Sequence, residues 1–208
     1  MKPFYILLCL VWSATISAQH FEGQIRYINS YYSKTKGIND RQYGEMLGSR
    51  EEYAFRNGNY LVQTNGSLVK GQLYTRKDNR IYSRIANSDT LYWMDAALAD
   101  DSVLSVKINK GAITILNYSC NELVLTTKAG VHHYFFSPRF AIDPAWFEKH
   151  KVGNWNAFVK YAKALPLKVI IETPEFTFES FAIEVKPLKL EDSMFLPEPN
   201  APLAKRNF

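Results

Sequence analysis

The stretch VLSVKINKGAITILNYSCNELVLTTKAGVHHYFF, Val103–Phe136, decides the fold class because apolar and polar residues alternate along most of its length. Alternation with a period of two is typical of half-buried β-strands. The turn signals NKG (109–111) and AG (129–130) interrupt the alternation and predict two hairpins. Connections this short favour antiparallel neighbours rather than βαβ units.

The alternation extends to both sides of this stretch. Phe21, Gly23, Ile25 and Tyr27 would share one face of a strand, and similar short segments follow as far as Met94. The sequence therefore predicts a mainly β (α+β) protein built as one curved antiparallel sheet or half-barrel. In FTFESFAIEV (176–185) the apolar residues change phase, which predicts a β-bulge near 179–180.

A helical insertion is predicted near residues 143–165, where the alternation stops. Asp143 is expected to cap a first helix that has Pro144 at its first position, and Asn154 to cap a second. Pro166 is expected to end the second helix. One apolar stripe of this second helix would pack on the concave face of the sheet, formed by Trp155, Phe158, Val159 and Ala162.

Residues 1–19 have the layout of a secretory signal peptide: Lys2, an apolar run over 4–12, and small or polar residues before Gln19. The run is shorter than the roughly 20 residues that a membrane-spanning helix needs, and no transmembrane segment is expected in the mature chain. Cys9 is followed by Leu10, Val11 and Trp12, so no lipobox is present. This predicts a periplasmic or secreted protein.

The chain that remains is long enough for one domain with a sizeable core. We predict a single β-rich half-barrel domain over residues 20–196 and a disordered tail over 197–208, which is rich in Pro, Asn, Ala and Lys. The polar segment 35–49 is expected to be a loop, or a loop that holds one short helix.

The charge and the cysteines narrow the functional classes. The chain carries 25 basic and 20 acidic residues, spread rather than clustered, so no nucleic-acid partner is expected. Cys120 is the one cysteine left after removal of the signal peptide, and it cannot form an internal disulfide. Free cysteines are among the most buried residues, and no Lys, Arg or His lies close along the chain to lower its pKa. We expect a buried strand residue.

No motif for catalysis, a metal or a cofactor is present in the sequence, so none of the three is predicted. His132 and His133 are adjacent, so on a strand they would point to opposite faces and could not chelate one metal together. Asp95, Asp100 and Asp101 lack the alternating ligands and turn glycine of a calcium loop. A solvated loop is expected there.

Aromatic residues make up 14% of the chain and crowd its middle and the helical insertion. One interpretation is an aromatic-rich core, since aromatic side chains dominate core packing. The other is an apolar cleft between the sheet and the insertion, because ligand pockets are mostly apolar with a few polar anchors. The cleft-lining candidates are Trp93, Phe135, Trp146, Trp155 and Phe158.

The order of motifs resembles a family of uncharacterised secreted proteins of Gram-negative envelopes. The resemblance rests on FEGQIRY (21–27), ILNYSCNELVL (115–125), YFFSPRFAIDP (134–144), ALPLKVIIE (164–172) and AIEVKPLKLEDSMFLP (182–197). That family is distantly similar to the LolA and LolB lipoprotein carriers, which are curved half-barrels closed by helices. The resemblance implies a binding or carrier role for a lipid or a lipidated protein. Asn117 stands where the family usually has glycine.

Three functions remain open at this point: a carrier for an apolar ligand, an envelope interaction or assembly module without a ligand, and a hydrolase with a distributed site. A carrier would have an open apolar cavity, and an interaction module a filled interior with an exposed patch. A hydrolase would have perturbed carboxylates or histidines in a cleft. Under the carrier hypothesis, Trp155→Ala would weaken binding of a fluorescent fatty-acid probe.

Overall fold

The computed structural model describes residues 20–99 and 101–206, so the predicted signal peptide (1–19) and Asp100 lie outside the described residues. Within them, twelve strands form one sheet. The strands are β1 Gly23–Ser33, β2 Arg50–Arg56, β3 Asn59–Thr64, β4 Val69–Thr75, β5 Arg80–Ile85, β6 Leu91–Asp95, β7 Val103–Ile115, β8 Tyr118–Thr127, β9 Val131–Ala141, β10 Ala164–Glu172, β11 Phe176–Pro187 and β12 Leu203–Lys205. The helices are α1 Asp40–Leu47 and α2 Trp155–Ala162, with 3₁₀ turns at Pro144–Phe147, Val152–Asn154 and Asp192–Phe195.

The sheet consists of two antiparallel meanders. Strands β1 to β6 follow one another in space, as do β7 to β11, and the pairing of β1 with β11 joins the two sets. Among the strands of the described residues, only β12 runs parallel to its neighbour, β6. The predicted fold class, a mainly β open sheet with a helical insertion, is confirmed.

The helical insertion shows that the sheet is curved. Lys151 donates its backbone N–H to Ala96 O, just beyond β6, at 2.6 Å, while Phe158 stacks on Tyr134 of β9 at 4.3 Å. Strands β6 and β9 are eight positions apart in the sheet order, which would be about 38 Å on a flat sheet. Seven residues reach at most about 25 Å, so the sheet bends round to bring both ends to the insertion.

The side of the sheet that packs on this insertion is called the inner face. It carries Ile25, Tyr27, Tyr53 and Phe55, all of them buried, whereas the alternate positions of β1 are exposed or half-buried. The ring of Phe55 lies 6.2 Å from that of Phe147 in the insertion. Burial of this apolar surface is the main force that holds the insertion on the sheet.

The predicted hairpin at NKG is wrong. β7 continues through 109–111 with only an irregularity in register, and the chain reverses at Leu116 and Asn117, where Ile115 pairs with Tyr118. Both turn residues have positive φ, 49° and 65°. Two successive positive φ values are what a two-residue hairpin turn requires, and asparagine tolerates them. The AG hairpin is confirmed, since Thr126 pairs with Val131.

The predicted bulge in β11 exists but lies further along the chain. Arg26 pairs with Glu184 and Tyr27 with Ala182, which leaves Ile183 unopposed. Phe181 is 39% exposed on the other face, the outer face. The sequence pattern places the bulge too early because Phe181 and Ile183 are apolar, as core residues would be. Both are exposed in the structure.

The insertion begins as predicted and ends earlier. Asp143 caps the first 3₁₀ turn by accepting from the Ala145 N–H, and α2 buries Phe158, Val159 and Ala162. Asn154 does not cap α2: its backbone is left-handed, and its side chain donates to Asp101 Oδ2 at 3.3 Å. The helix ends at Ala162, and its C-cap, Lys163, also has a left-handed backbone. Pro166 instead lies in β10, at a register irregularity that accommodates a residue without an N–H.

The segment after β11 covers part of the outer face. Leu190 and Phe195 pack there against Leu73, Tyr82 and Leu91. Part of the predicted disordered tail (197–208) is ordered, because Leu203–Lys205 form β12, while residues 207–208 lie outside the described residues.

The polar segment 35–49 is a loop that holds one short helix, α1. It begins with a capping box between Asn39 and Gln42. Within the described residues, no helix is both long and apolar enough to cross a membrane.

Candidate functional site

A cavity of about 530 Å³ lies between the inner face and the insertion. Strands from both meanders form its walls, and the insertion contributes residues 150, 152, 153 and 155. Its volume is within the range of about 300–1,000 Å³ that is usual for small-molecule sites. Its apolar wall is formed by Val62, Ile81, Met94, Val169, Ile171 and Phe178.

Polar side chains converge on the same cavity. Tyr27 on β1, Glu51 and Tyr53 on β2, and Tyr60 on β3 all line it because they share the inner face of neighbouring strands. Tyr27 Oη donates to Pro166 O at 2.7 Å. A mostly apolar pocket with a few polar groups matches the composition of ligand sites.

Glu51 is the acidic residue of this cavity. Burial raises the pKa of its carboxyl to about 7, and a hydrogen bond from Asn29 Nδ2 to Oε2, at 3.4 Å, acts in the opposite direction. The cause is the loss of hydration, which destabilises the charged form. At neutral pH the carboxyl is thus poised between its protonated and ionised forms.

His150 lies on the insertion side of the cavity. Its Nε2 is 2.9 Å from Tyr60 Oη, and its ring lies 4.6 Å from that of Tyr74. Burial lowers the pKa of His150 to about 4, so the ring is neutral at pH 7.

Three buried polar atoms on cavity-lining residues lack a hydrogen-bond partner within the described protein. They are Tyr53 Oη, His150 Nδ1 and Trp155 Nε1. Most buried polar groups are paired, so orphaned ones call for an explanation.

Two of the five aromatic residues selected from the sequence belong to this region. Trp155 lines the cavity and is half-buried. Phe158 is fully buried behind it, with its ring 5.0 Å from that of Trp155 and 4.3 Å from that of Tyr134. Phe158 therefore supports the wall rather than forming its surface.

The other three candidates lie elsewhere. Trp93 is on the outer face, where it pairs with Tyr82 and lies under the Arg80 guanidinium, 4.0 Å from the ring centroid. Phe135 is on the outer face beside Lys168. Neither lines the cavity, because adjacent residues of a strand face opposite sides and the residues next to them, Met94 and Tyr134, are on the inner face.

Trp146 packs beyond the cavity, over the β2–β3 turn. A Cβ at Gly58 would lie 2.7 Å from Trp146 Cβ. The positive φ of 81° at Gly58 and the close approach of the tryptophan both explain the glycine there.

The predictions for the histidines and the cysteine can be compared with the structure. His132 is buried beside Tyr134, whereas His133 Nδ1 is 2.8 Å from Glu122 Oε1 on the opposite face, as predicted. Cys120 is 0% exposed, and burial raises the pKa of its thiol, which confirms the prediction of a buried strand residue. Across residues 20–99 and 101–206, no group of three His, Cys, Asp or Glu side chains could hold a metal ion.

Sequence reasoning missed Glu51, His150 and the three tyrosines Tyr27, Tyr53 and Tyr60. The sequence pattern that could have identified some of them is the alternation along β2, where Glu51, Tyr53 and Phe55 occupy alternate positions. A carboxylate in phase with two aromatic residues on a core-facing strand is out of place unless it serves a site or a buried pair.

Comparisons with known proteins identify no family for this chain. No protein-family model matches the chain, and no curated protein matches it. Solved structures similar to it include PNGF-II, at 14% identity and a TM-score of 0.46, with 89% of this chain and 31% of that chain covered. The chain thus spans about a third of the PNGF-II chain.

A second similar structure is a LolA superfamily protein from Nitrosomonas europaea. Its identity is 10% and its TM-score 0.39, with 86% of this chain and 91% of that chain covered. Both TM-scores lie below 0.5, so the interpretation of the site rests on its own residues.

Proposed function

We propose that this protein is a non-catalytic binding or carrier protein for an apolar or amphipathic molecule, a lipid or a lipidated protein, held in the inner-face cavity. The observation that carries the proposal is the cavity itself, about 530 Å³ with a largely apolar wall in a curved sheet. A core that only stabilised the fold would be filled, because interiors pack to the density of organic crystals. The polar residues Glu51 and Tyr60 also line the cavity and can contact a polar group of the ligand.

The proposed setting is the periplasm or the exterior of the cell. Its support is the sequence of residues 1–19, with its apolar run and its small residues before Gln19. A carrier for apolar molecules has a physical reason to work there, since such molecules need shielding from water between membranes.

Native mass spectrometry tests this proposal on protein purified without detergent from an envelope fraction, together with titration of an uncharged apolar fluorescent probe. We expect extra mass that disappears after solvent extraction, and saturable probe binding by the extracted protein. A single unliganded mass together with no saturable probe binding would overturn the proposal.

A second function, an envelope interaction module, is supported by the outer face. Ile28 and Phe181 are cross-strand partners there and are 46% and 39% exposed. Crosslinking in the envelope fraction tests it with Phe181→Ser and Leu104→Ser, the second a control on the exposed surface of β7. Loss of a crosslinked partner in Phe181→Ser alone would favour this function.

A hydrolase is the remote alternative, and Glu51 and His150 are the perturbed groups that it would require. Glycoside hydrolysis uses two carboxyl groups across the reacting bond, and among the described residues Glu51 is the only Asp or Glu that lines the cavity. The hydrogen-bond partners of these groups are Asn29 and Tyr60, neither of which is an activated nucleophile. The geometry therefore supports binding better than hydrolysis.

A further inference from the structure

We propose that the polar end of the ligand is an ammonium group, a protonated amine or a quaternary ammonium, which binds beside Glu51 among the tyrosines of the cavity. This inference rests on the proposed binding function and specifies the class of ligand. It follows from the position of one carboxyl group among aromatic rings on the inner face.

The first argument is the charge of the wall. Glu51 is the only carboxylic residue that lines the cavity in the described part of the chain. Its side chain accepts a hydrogen bond from Asn29, a neutral amide. An ionised carboxylate in a site of low polarity is stabilised by a cation within a few ångströms. A ligand with an ammonium group would supply that cation, whereas a carboxylate or phosphate group placed beside Glu51 would be repelled.

The second argument is the aromatic surroundings. Tyr27 lies directly opposite Glu51 on β1, and Tyr53 follows Glu51 on the same face of β2. The rings of Tyr53 and Tyr60 are stacked with their centroids 5.5 Å apart. Faces of tyrosine and tryptophan attract cations, and aromatic cages are the usual sites for quaternary ammonium groups. Trp155 extends this aromatic wall from the insertion.

The third argument concerns orientation. Arg206 is exposed and also lines the cavity. Its positive charge disfavours an ammonium group beside it, so the stabilised position is at Glu51. The apolar wall then receives the hydrocarbon part of the ligand.

The protonation of Glu51 supports the proposal and adds a second readout. Because its pKa is about 7, an ammonium group that favours the ionised form would release a proton on binding below neutral pH. The facing tyrosines, Tyr27, Tyr53 and Tyr60, stay neutral, since burial raises their pKa well above the usual value. His150 is neutral above its pKa of about 4. Glu51 is thus the facing group that titrates between pH 5.5 and pH 8.

The test compares two single-chain amphiphiles of equal length, dodecyltrimethylammonium and dodecanoate, below their micelle concentrations. Displacement of an uncharged fluorescent probe gives their affinities for the wild type, for Glu51→Gln and for Glu52→Gln. Glu52 is the matched control, because it neighbours Glu51 on the same strand and is exposed on the outer face.

At pH 8 we expect the wild type and Glu52→Gln to bind the ammonium amphiphile about tenfold more tightly than the carboxylate. Glu51→Gln should lose that preference while it still binds the probe. The wild-type affinity for the ammonium amphiphile should also fall on going from pH 8 to pH 5.5. Equal affinity of the wild type for both amphiphiles, or an unchanged preference in Glu51→Gln, would overturn the ammonium proposal alone. Failure of the wild type to bind the probe would overturn the binding function as well.

Discussion

Glu51 lies directly opposite Tyr27 in the antiparallel pairing of β2 with β1, so a carboxyl group and a buried phenol share one position on the inner face. Burial removes water from around the carboxyl, and its pKa rises to about 7. The protein keeps in its interior a group that costs stability when ionised. Such a cost is common at sites that serve function rather than folding.

Glu51→Gln should therefore stabilise the protein above neutral pH. Between pH 4.5 and 7 the unfolded chain releases the Glu51 proton while the folded chain keeps it, so the stability of the wild type falls as pH rises. Above pH 7 the loss reaches up to about 3 kcal/mol, which the variant would not suffer. Urea unfolding at pH 4.5 and pH 8 measures the difference, which should be near zero at the lower pH.

Glu52→Gln controls for the loss of a negative charge from the same strand. It should show little change between the two pH values, since Glu52 is exposed. A Glu51→Gln variant no more stable than the wild type at pH 8 would mean that its carboxyl is well solvated.

His150→Gln tests a pH dependence of stability that is opposite in sign to that of Glu51. The folded pKa of His150 is about 4 and its ordinary value is 6.5, so the unfolded chain takes up a proton first as pH falls. The wild type should lose stability between pH 6.5 and pH 4 through this group, by up to about 3 kcal/mol. In the wild type the pH dependence from His150 opposes that from Glu51, and the variant should lack the His150 contribution.

The measurement is the urea midpoint of His150→Gln at half-unit steps from pH 4 to pH 7. Glutamine leaves an amide near Tyr60 Oη, so a constant offset is expected together with a changed slope. His20→Gln is the control, because His20 is exposed. A pH dependence identical to that of the wild type would contradict the assigned pKa.

Much of the fold could be predicted because alternation identifies strands, and short turns identify antiparallel neighbours. One error came at a turn. NKG has the composition of a turn, but the chain reverses at Leu116–Asn117, which was not recognised as a turn. Asn117 adopts positive φ, as glycine would, so this position meets the same requirement with a different residue.

The site was less predictable because a strand has two faces and only the fold decides which of them is enclosed. Trp93 and Met94 are consecutive, yet Met94 lines the cavity and Trp93 packs on the outer face. Selection by aromatic content favoured the tryptophan. Polar residues such as Glu51 were missed because the sequence does not show which face of their strand is the inner face.

Phe158→Ala should affect stability more than ligand binding affinity. The Phe158 side chain is fully buried and stacks on Tyr134 at 4.3 Å, and truncation of such a ring costs about 3–5 kcal/mol. Thermal and urea unfolding measure this loss. Tyr161→Ala, on the exposed side of the same helix, should cost far less. Equal effects of the two variants would show that α2 is not packed on the sheet.

Trp155→Ala and Trp93→Ala form a matched pair that locates the ligand. Both remove one half-buried indole, but Trp155 lines the cavity with an unpaired Nε1, and Trp93 lies on the outer face under Arg80. We expect Trp155→Ala to weaken binding of an uncharged apolar fluorescent probe by about tenfold or more, because a large aromatic contact is lost. Trp93→Ala should bind the probe as the wild type does. Probe titration on variants whose circular dichroism matches the wild type gives the comparison. Equal weakening in both variants would point to a general loss of structure, and weakening in Trp93→Ala alone would move the binding site to the outer face.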